Sequence, residues 1–301
     1  MKIFITGGSG FVGTHLIHDF IDRGHRVIAV GTSSAHRNPP NENFRYISAD
    51  TTLKGPWQDA LEDVDAIINL AGRNIFKLWS DAYKNEIYNS RILTTRNLVE
   101  AVPHRKGIIL CSTSGAGYYG NRADEVLKED ASSGSDYLAK VCIDWEKEAF
   151  QAEKKGVRVA AMRFGVILDK NGGALAKMIP AFKSFAGGPL GSGLQWFPWI
   201  HMDDLISAIN FILENDEIKG TVNFCAPNPI RNRDFGKALG KVLKRPSFIK
   251  VPSFMIRLVM GEMGTLLLNS QKMIPHEFLS HGFKFQHPDI DHALGDIFKK
   301  R

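Results

Sequence analysis

The chain begins with a short apolar run, Lys2-Ile3-Phe4-Ile5-Thr6. It passes directly into a glycine-rich turn, Gly7-Gly8-Ser9-Gly10-Phe11-Val12-Gly13. No other segment restricts the fold as strongly. After the turn, His15-Leu16-Ile17 and Phe20-Ile21 place apolar residues on one face at helical spacing. Arg23-Gly24-His25 closes that helix, and Arg26-Val27-Ile28-Ala29-Val30 reads as a second strand. Strand, glycine turn, helix and strand together make a βαβ unit. Gly7 can leave the first strand through backbone angles closed to other residues. Gly10 leaves room beside the helix N-terminus, and Gly13 lets the helix lie close to the strand. The free amides of the first helical turn, reinforced by the helix dipole, favour an anion. The spacing Gly7-x-x-Gly10-x-x-Gly13 carries one residue more than the stricter Gly-x-Gly-x-x-Gly pattern. The turn therefore points to a bound pyrophosphate, and most simply to a dinucleotide.

Strand and helix signals then alternate. Strands are predicted at 2–6, 26–30, 44–48, 66–70, 107–112 and 157–163, and helices at 11–22, 80–102 and 135–155. This rhythm predicts an α/β fold, a Rossmann-type doubly wound parallel sheet with a smaller C-terminal lobe. The carboxyl ends of the strands should line the ligand crevice. Three units are expected: residues 1–168 for dinucleotide binding, 169–248 as a pocket-forming insertion with segments returning to the main fold, and 249–301 as a small C-terminal domain. Within the insertion, a helix at 174–185 precedes the turn-rich run Gly187-Gly188-Pro189-Leu190-Gly191-Ser192-Gly193. A helix at 203–213, a strand at 221–225 and a helix at 231–243 follow.

The 301 residues suffice for a large core. The three cysteines are far apart, which excludes a disulfide scaffold and a cysteine zinc site. His201, Asp203 and Asp204 lie too close in sequence to form a metal site by themselves, so no metal is expected; His201 reads as a structural hydrogen-bonding group and Asp203 or Asp204 as a helix cap. The net charge of +6 is spread along the chain and suits small anionic molecules rather than nucleic acid. No signal peptide or membrane-length apolar run is seen, so a cytoplasmic protein with no membrane partner is expected.

The residues after the second strand bear on which dinucleotide binds. NAD sites place an Asp or Glu there to accept bonds from the adenosine ribose. Here the segment is Val30-Gly31-Thr32-Ser33-Ser34-Ala35-His36-Arg37, with no carboxylate. Thr32 and Ser33 can donate to a 2′-phosphate, and Arg37 or His36 adds charge. NADP(H) is therefore expected over NAD(H). Asp50, after the third strand, either meets the adenine edge or caps a turn.

At this point the chain resembles the extended short-chain dehydrogenases/reductases. Within them it resembles the atypical NAD-dependent epimerase/dehydratase-like "epimerase family" proteins, a group that includes bacterial SulA homologues. The resemblance rests on residues 6–13, Asn69-Leu70-Ala71-Gly72, Ser114-Gly115-Ala116-Gly117-Tyr118-Tyr119-Gly120, Arg163-Phe164-Gly165-Val166, residues 187–193, and Pro198-Trp199-Ile200-His201-Met202-Asp203-Asp204. Met260-Gly261-Glu262 and Ser270-Gln271-Lys272 resemble that group's own C-terminal domain. The resemblance implies that Gly7, Ser9, Gly10, Phe11, Val12 and Gly13 surround the pyrophosphate. It further implies that Leu70, Ala71 and Gly72 pass the ribose and that Phe164, Gly165 and Val166 lie near the nicotinamide. Arg73 stands where relatives commonly carry Glu.

Relatives share a Ser or Thr with a Tyr-x-x-x-Lys pair, a spacing that puts both side chains on one helical face. There the ammonium lowers the phenol pKa and the phenol exchanges a proton with substrate. This chain reads Ser135-Asp136-Tyr137-Leu138-Ala139-Lys140-Val141-Cys142. Tyr137 and Lys140 are one residue too close, Leu138 stands four before Cys142, and neither register yields the pair. Ser114, Tyr137 and Lys140 are the candidate catalytic residues, in a displaced geometry. Arg163 is a candidate for a substrate anion or a nearby carboxylate, and Gln195-Trp196-Phe197-Pro198-Trp199 for substrate stacking or for anchoring the insertion. Two functions follow: a nucleotide-sugar-epimerase-like NADP(H)-binding oxidoreductase of a small-molecule substrate, or a catalytically silent dinucleotide-binding sensor or partner-binding protein. Monomer and homodimer are both open.

Overall fold

The computed structural model describes residues 1–34 and 41–299. In chain order the first half comprises β1 (Lys2–Thr6), α1 (Phe11–Asp22), β2 (Arg26–Gly31), β3 (Phe44–Ser48), β4 (Ala66–Asn69), α2 (Asp81–Ala101), β5 (Ile109–Gly115), β6 (Val126–Leu127) and α3 (Tyr137–Phe150). Next come β7 (Arg158–Phe164), β8 (Val166–Asp169), α4 (Gly173–Lys183), β9 (Trp196–Phe197), β10 (Trp199–His201), α5 (Met202–Glu214) and β11 (Gly220–Phe224). The chain closes with β12 (Ile230–Arg231), α6 (Asn232–Leu243), α7 (Ser253–Met260), β13 (Lys272–Met273), α8 (His276–Ser280) and α9 (Ile290–Lys299).

Seven strands form one sheet in the order β11-β7-β5-β4-β1-β2-β3, and every pairing is parallel. The chain moves outward from β1 to β3 and then returns to β4 on the other side of β1. The crevice of a doubly wound sheet opens at this reversal. The central strands do not alternate in polarity because both faces are covered. Ile3 and Ile5 pack with Leu16, Ile17 and Phe20 of α1 and with Leu205, Ile209 and Ile212 of α5. Phe4, between them, points the other way, against Trp57, Leu98 and Val99. Each such side chain contributes about 1.5–3 kcal/mol on burial.

The expected doubly wound fold is therefore present, with differences at element ends. β5 starts at Ile109 because Gly107 turns the chain at φ +84°. α3 stops at Phe150, and a tight 3-10 turn runs to Gly156, which takes φ +80°. The C-terminal lobe has its own apolar centre, where Leu175 and Phe182 of α4 meet Phe235 and Leu239 of α6 and Leu294 of α9. Gln271 fastens this lobe to the 3-10 turn that follows β5 by donating to the carbonyls of Ala116 (2.8 Å) and Gly120 (3.0 Å). Among the described residues, no helix is long and apolar enough to cross a membrane.

Candidate functional site

The glycine turn forms a tight cradle. Gly7 takes φ +68°, and the Gly10 amide closes the turn on the Gly7 carbonyl at 2.9 Å. A Cβ on Gly13 would lie 2.6 Å from the Gly7 oxygen and 2.7 Å from Gly8 Cα, so α1 reaches this position only with glycine there. Gly10 is the N-cap and offers no side-chain acceptor, and the first turn of α1 holds no acidic residue. The amides of that turn therefore keep their hydrogen-bonding capacity for an anion. Phe11 and Val12 begin the helix, and the Phe11 ring packs against the Gly172-Gly173 turn, where a Cβ on Gly172 would come within 2.3 Å of it.

Across the reversal, Gly7 meets the end of β4: a Cβ on Gly7 would be 3.0 Å from the Ala71 nitrogen. Thr6 Oγ1 joins the two strands, donating to Asn69 Oδ1 (2.6 Å) and accepting from the amides of Leu70 and Ala71 (both 3.2 Å). Asn69 Nδ2 in turn donates to Thr95 Oγ1 (2.8 Å) and Ser112 Oγ (3.0 Å). This buried network sets the height of Leu70-Ala71-Gly72 above the cradle.

At the end of β2, Ser33 Oγ donates to Ser9 Oγ at 3.4 Å, and Tyr46 holds the Ser33 carbonyl at 3.1 Å. Thr32 and Ser33 are exposed beside the cradle. His36 and Arg37 lie outside the described residues. Of the two alternatives for Asp50, its geometry is that of a turn cap: Oδ1 accepts from the amide (3.0 Å) and hydroxyl (2.7 Å) of Thr52.

A cavity of about 410 Å³ runs from Phe11, Leu70 and Gly72 to Phe164, Gly165 and Val166, over the carboxyl ends of β5 and β7. Its far end is walled by Phe76, Met178, Leu190, Trp196, Phe197 and Leu267, with Gln195, Asn232, Asn269 and Gln271 as the polar groups. Of the aromatic run, Trp196 and Phe197 line the cavity, whereas Trp199 is core.

The three candidate catalytic residues are not brought together. Ser114 lines the cavity, but its hydroxyl donates to Glu146 Oε1 at 2.6 Å. Tyr137 points to α2, donating to the Lys84 carbonyl at 2.6 Å, and burial pushes its phenol up to about 12. Lys140 is exposed and pairs with Asp144 at 2.9 Å. Spacing three on α3 turns Tyr137 and Lys140 off the cavity face. That face instead presents Leu138 and Cys142. Both pack on Gly117, where a Cβ would meet Leu138 Cβ at 3.2 Å and Cys142 Sγ at 3.8 Å. Burial raises the Cys142 thiol to about 11, so it stays protonated.

Arg163 takes the carboxylate alternative. It is 2 % exposed and forks onto Glu146 with Nε–Oε1 at 2.8 Å and Nη2–Oε2 at 2.9 Å. Nη1 donates to the Tyr119 hydroxyl and the Glu129 carbonyl, both at 2.9 Å, and the guanidinium stacks 3.4 Å over the Tyr118 ring. Burial works against its charge, yet the Glu146 bonds prevail and its pKa is raised. These contacts hold the ends of β5 and β7 and α3 in one frame beneath the cavity.

His201 itself caps α5, its Nδ1 accepting from the Asp203 amide at 3.1 Å. Asp204 does not cap the helix: it is buried and accepts from the amides of Gln286 (2.6 Å) and His287 (3.0 Å). His287 and Asp296 complete a group whose polar atoms lie within 4.8 Å of one another together with those of His201 and Asp203. The Asp203 amide makes His201 Nδ1 an acceptor, so its proton sits on Nε2, which faces Asp296 Oδ2 at 3.6 Å. The set is thereby suited to tying α9 to α5.

Residues 3–225 match the NAD dependent epimerase/dehydratase family, and 251–297 match a domain of unknown function, DUF1731. The chain belongs to the NAD dependent epimerase/dehydratase family. It is similar to the epimerase family protein SDR39U1 homolog, chloroplastic, of Arabidopsis thaliana, 40% identical over 99% of this chain and 87% of that protein. Among solved structures it is similar to human epimerase family protein SDR39U1 (isoform 2) with NADPH, at TM-score 0.86 and 30% identity over the whole of both chains. It is also similar to the nucleoside-diphosphate sugar epimerase of Corynebacterium glutamicum, at TM-score 0.76 and 32% identity over 98% of this chain and 58% of that one.

Proposed function

We propose that the chain is an NADP(H)-binding oxidoreductase of the epimerase type, acting on a small molecule with a substantial apolar part. One observation carries this reading: a single cavity runs from Phe11, at the edge of the glycine cradle, by way of Gly72, to Phe164-Val166 and to an apolar chamber. The uncapped N-terminus of α1 suits a pyrophosphate, and the crowding at Gly13 shows a turn built for close backbone approach. The exposed hydroxyls of Thr32 and Ser33 beside the cradle support a 2′-phosphate there, and the human relative's structure with NADPH supports that preference. The bound cofactor would supply or accept a hydride at the nicotinamide ring. Gly10 and its neighbours hold the phosphates, Leu70, Ala71 and Gly72 support the ribose, and Phe164, Gly165 and Val166 support the ring. Trp196 and Phe197 flank the substrate, with Gln195 and Gln271 orienting its polar groups.

A second reading, a dinucleotide sensor without turnover, is favoured by Leu138 and Cys142. They are cavity-facing and four residues apart on α3, and neither is a proton donor of the Tyr-Lys kind. Equilibrium titration with NADPH and NADH tests the shared part: NADPH should bind more tightly, and tighter NADH binding overturns the 2′-phosphate argument. Deuteride transfer from 4-deuterated NADPH to a panel of carbonyl compounds and nucleotide sugars separates the two readings. Transfer supports the enzyme, and tight binding without transfer across the panel supports the sensor.

A further inference from the structure

Arg91 lies on the wall of the cavity, on the second helix rather than the third. Its Nη1 donates to the Ile87 carbonyl (3.0 Å) and its Nη2 to the Arg73 carbonyl (3.1 Å), and its guanidinium sits 5.1 Å over the Trp145 ring. These partners are two carbonyls and a π face. Among the described residues, no carboxylate pairs with it. Arginine keeps its charge at neutral pH even where burial lowers its pKa, as it does here. A guanidinium has five N–H donors, so most of this one's remain for a ligand.

Two features fix where those donors are presented. Gly72 leaves the space the guanidinium fills: a Cβ there would lie 3.0 Å from Arg91 Cζ. Trp145, which supports the guanidinium, is one helical turn beyond Cys142 on α3, and both line the cavity. Trp145 is itself fixed, its Nε1 donating to Thr95 Oγ1 at 2.8 Å, and Thr95 is one turn beyond Arg91 on α2. Cys142 stands four residues after Leu138, where a Tyr-x-x-x-Lys helix would carry its ammonium. The cation missing from α3 is thus available from α2, against the same wall.

We infer that Arg91 takes over the ribose-binding role of the absent lysine, donating hydrogen bonds to the hydroxyls of the nicotinamide-side ribose. The inference rests on the cavity being the dinucleotide site. It makes Arg91 a cofactor-positioning residue and leaves the phenol's proton-transfer role without a substitute on α3.

The test compares two ligands on the full chain. NADPH spans the whole site, whereas adenosine 2′,5′-bisphosphate fills only the adenine end. Arg91→Met should weaken NADPH binding about tenfold or more, since hydrogen bonds from a charged donor are lost, and leave the bisphosphate affinity unchanged. Arg91→Met with Cys142→Lys should recover part of the NADPH affinity. If Arg91→Met does not fold, Arg91→Lys carries the same comparison, because it keeps charge and stem but loses the planar fork. Equal NADPH affinity in wild type and variant overturns the inference, as does equal loss of both ligands. Failure of the wild type to bind either ligand overturns instead the reading of the cavity on which the inference rests.

Discussion

The Arg163–Glu146 pair gives the sharpest prediction on how the site is supported. Glu146→Gln keeps the shape of the side chain but removes the charge that balances a guanidinium whose side chain is 3 % exposed. Gln Nε2 also turns a donor toward one arm of the Arg163 fork, and the Ser114 hydroxyl must share the one remaining acceptor. Breaking a buried pair from one side costs about 3–5 kcal/mol. With an unfolding entropy of about 2.1 cal/mol/K per residue, a chain of this length loses about 1.6 °C in Tm per kcal/mol, so we expect a fall of about 5–8 °C. Scanning calorimetry without added nucleotide measures it. The double variant Glu146→Leu with Arg163→Met removes both charges, so it should lie closer to wild type than Glu146→Leu alone. A fall below about 1 °C for Glu146→Gln, or purely additive losses in the double variant, would refute the reasoning.

Two further outcomes follow from the same structure. Gly13→Ala forces a methyl into the Gly7–Gly8 backbone, and overpacking of this kind costs about 1–3 kcal/mol of folding stability, so by the same conversion Tm should fall by about 2–5 °C in scanning calorimetry; an unchanged Tm would contradict this. Glu129 is buried, and desolvation raises its pKa above the ordinary 4.5. Its ionised form therefore burdens the folded state above the unfolded value, and that burden is relieved as pH falls through the raised pKa. Glu129→Gln, which keeps the acceptor for the Asn223 and Glu277 amides, should raise Tm at pH 8 with a gain that shrinks toward pH 4; a gain independent of pH would contradict this.

The cradle was legible because everything that defines it is local: a strand, three spaced glycines and the face of one helix. The doubly wound order followed from the same alternation. Orientation across the cavity was not legible. The line Tyr137-Leu138-Ala139-Lys140-Val141-Cys142 shows that the paired spacing is missing. Only the packing of α3 on Gly117 shows that Leu138 and Cys142, rather than Tyr137 and Lys140, are turned inward. Arg163 showed itself as a charge at a strand end, while its partner lies 17 residues earlier on a different element. Arg91 drew no reading from the sequence: α2 carries Arg96 and Glu100 on its exposed side and has little amphipathic contrast to single out one arginine. Asn69 reads only as the end of a predicted strand and part of a family marker, although its buried bonds to Thr6, Thr95 and Ser112 join four elements. The His201–Asp296 group needed α9 folded back onto α5, which no spacing in the chain reveals.

On the proposed function, this cavity holds a dinucleotide without a tyrosine–lysine pair to serve it. A crystal structure with NADPH tests it most directly. The account predicts the pyrophosphate on the amides after Gly10, the nicotinamide between Phe164-Gly165-Val166 and the Leu138–Cys142 face, and Tyr137 still bonded to the Lys84 carbonyl. A nicotinamide bound outside this cavity, or a Tyr137 phenol rotated to within hydrogen-bonding reach of the ring or its ribose, would contradict it.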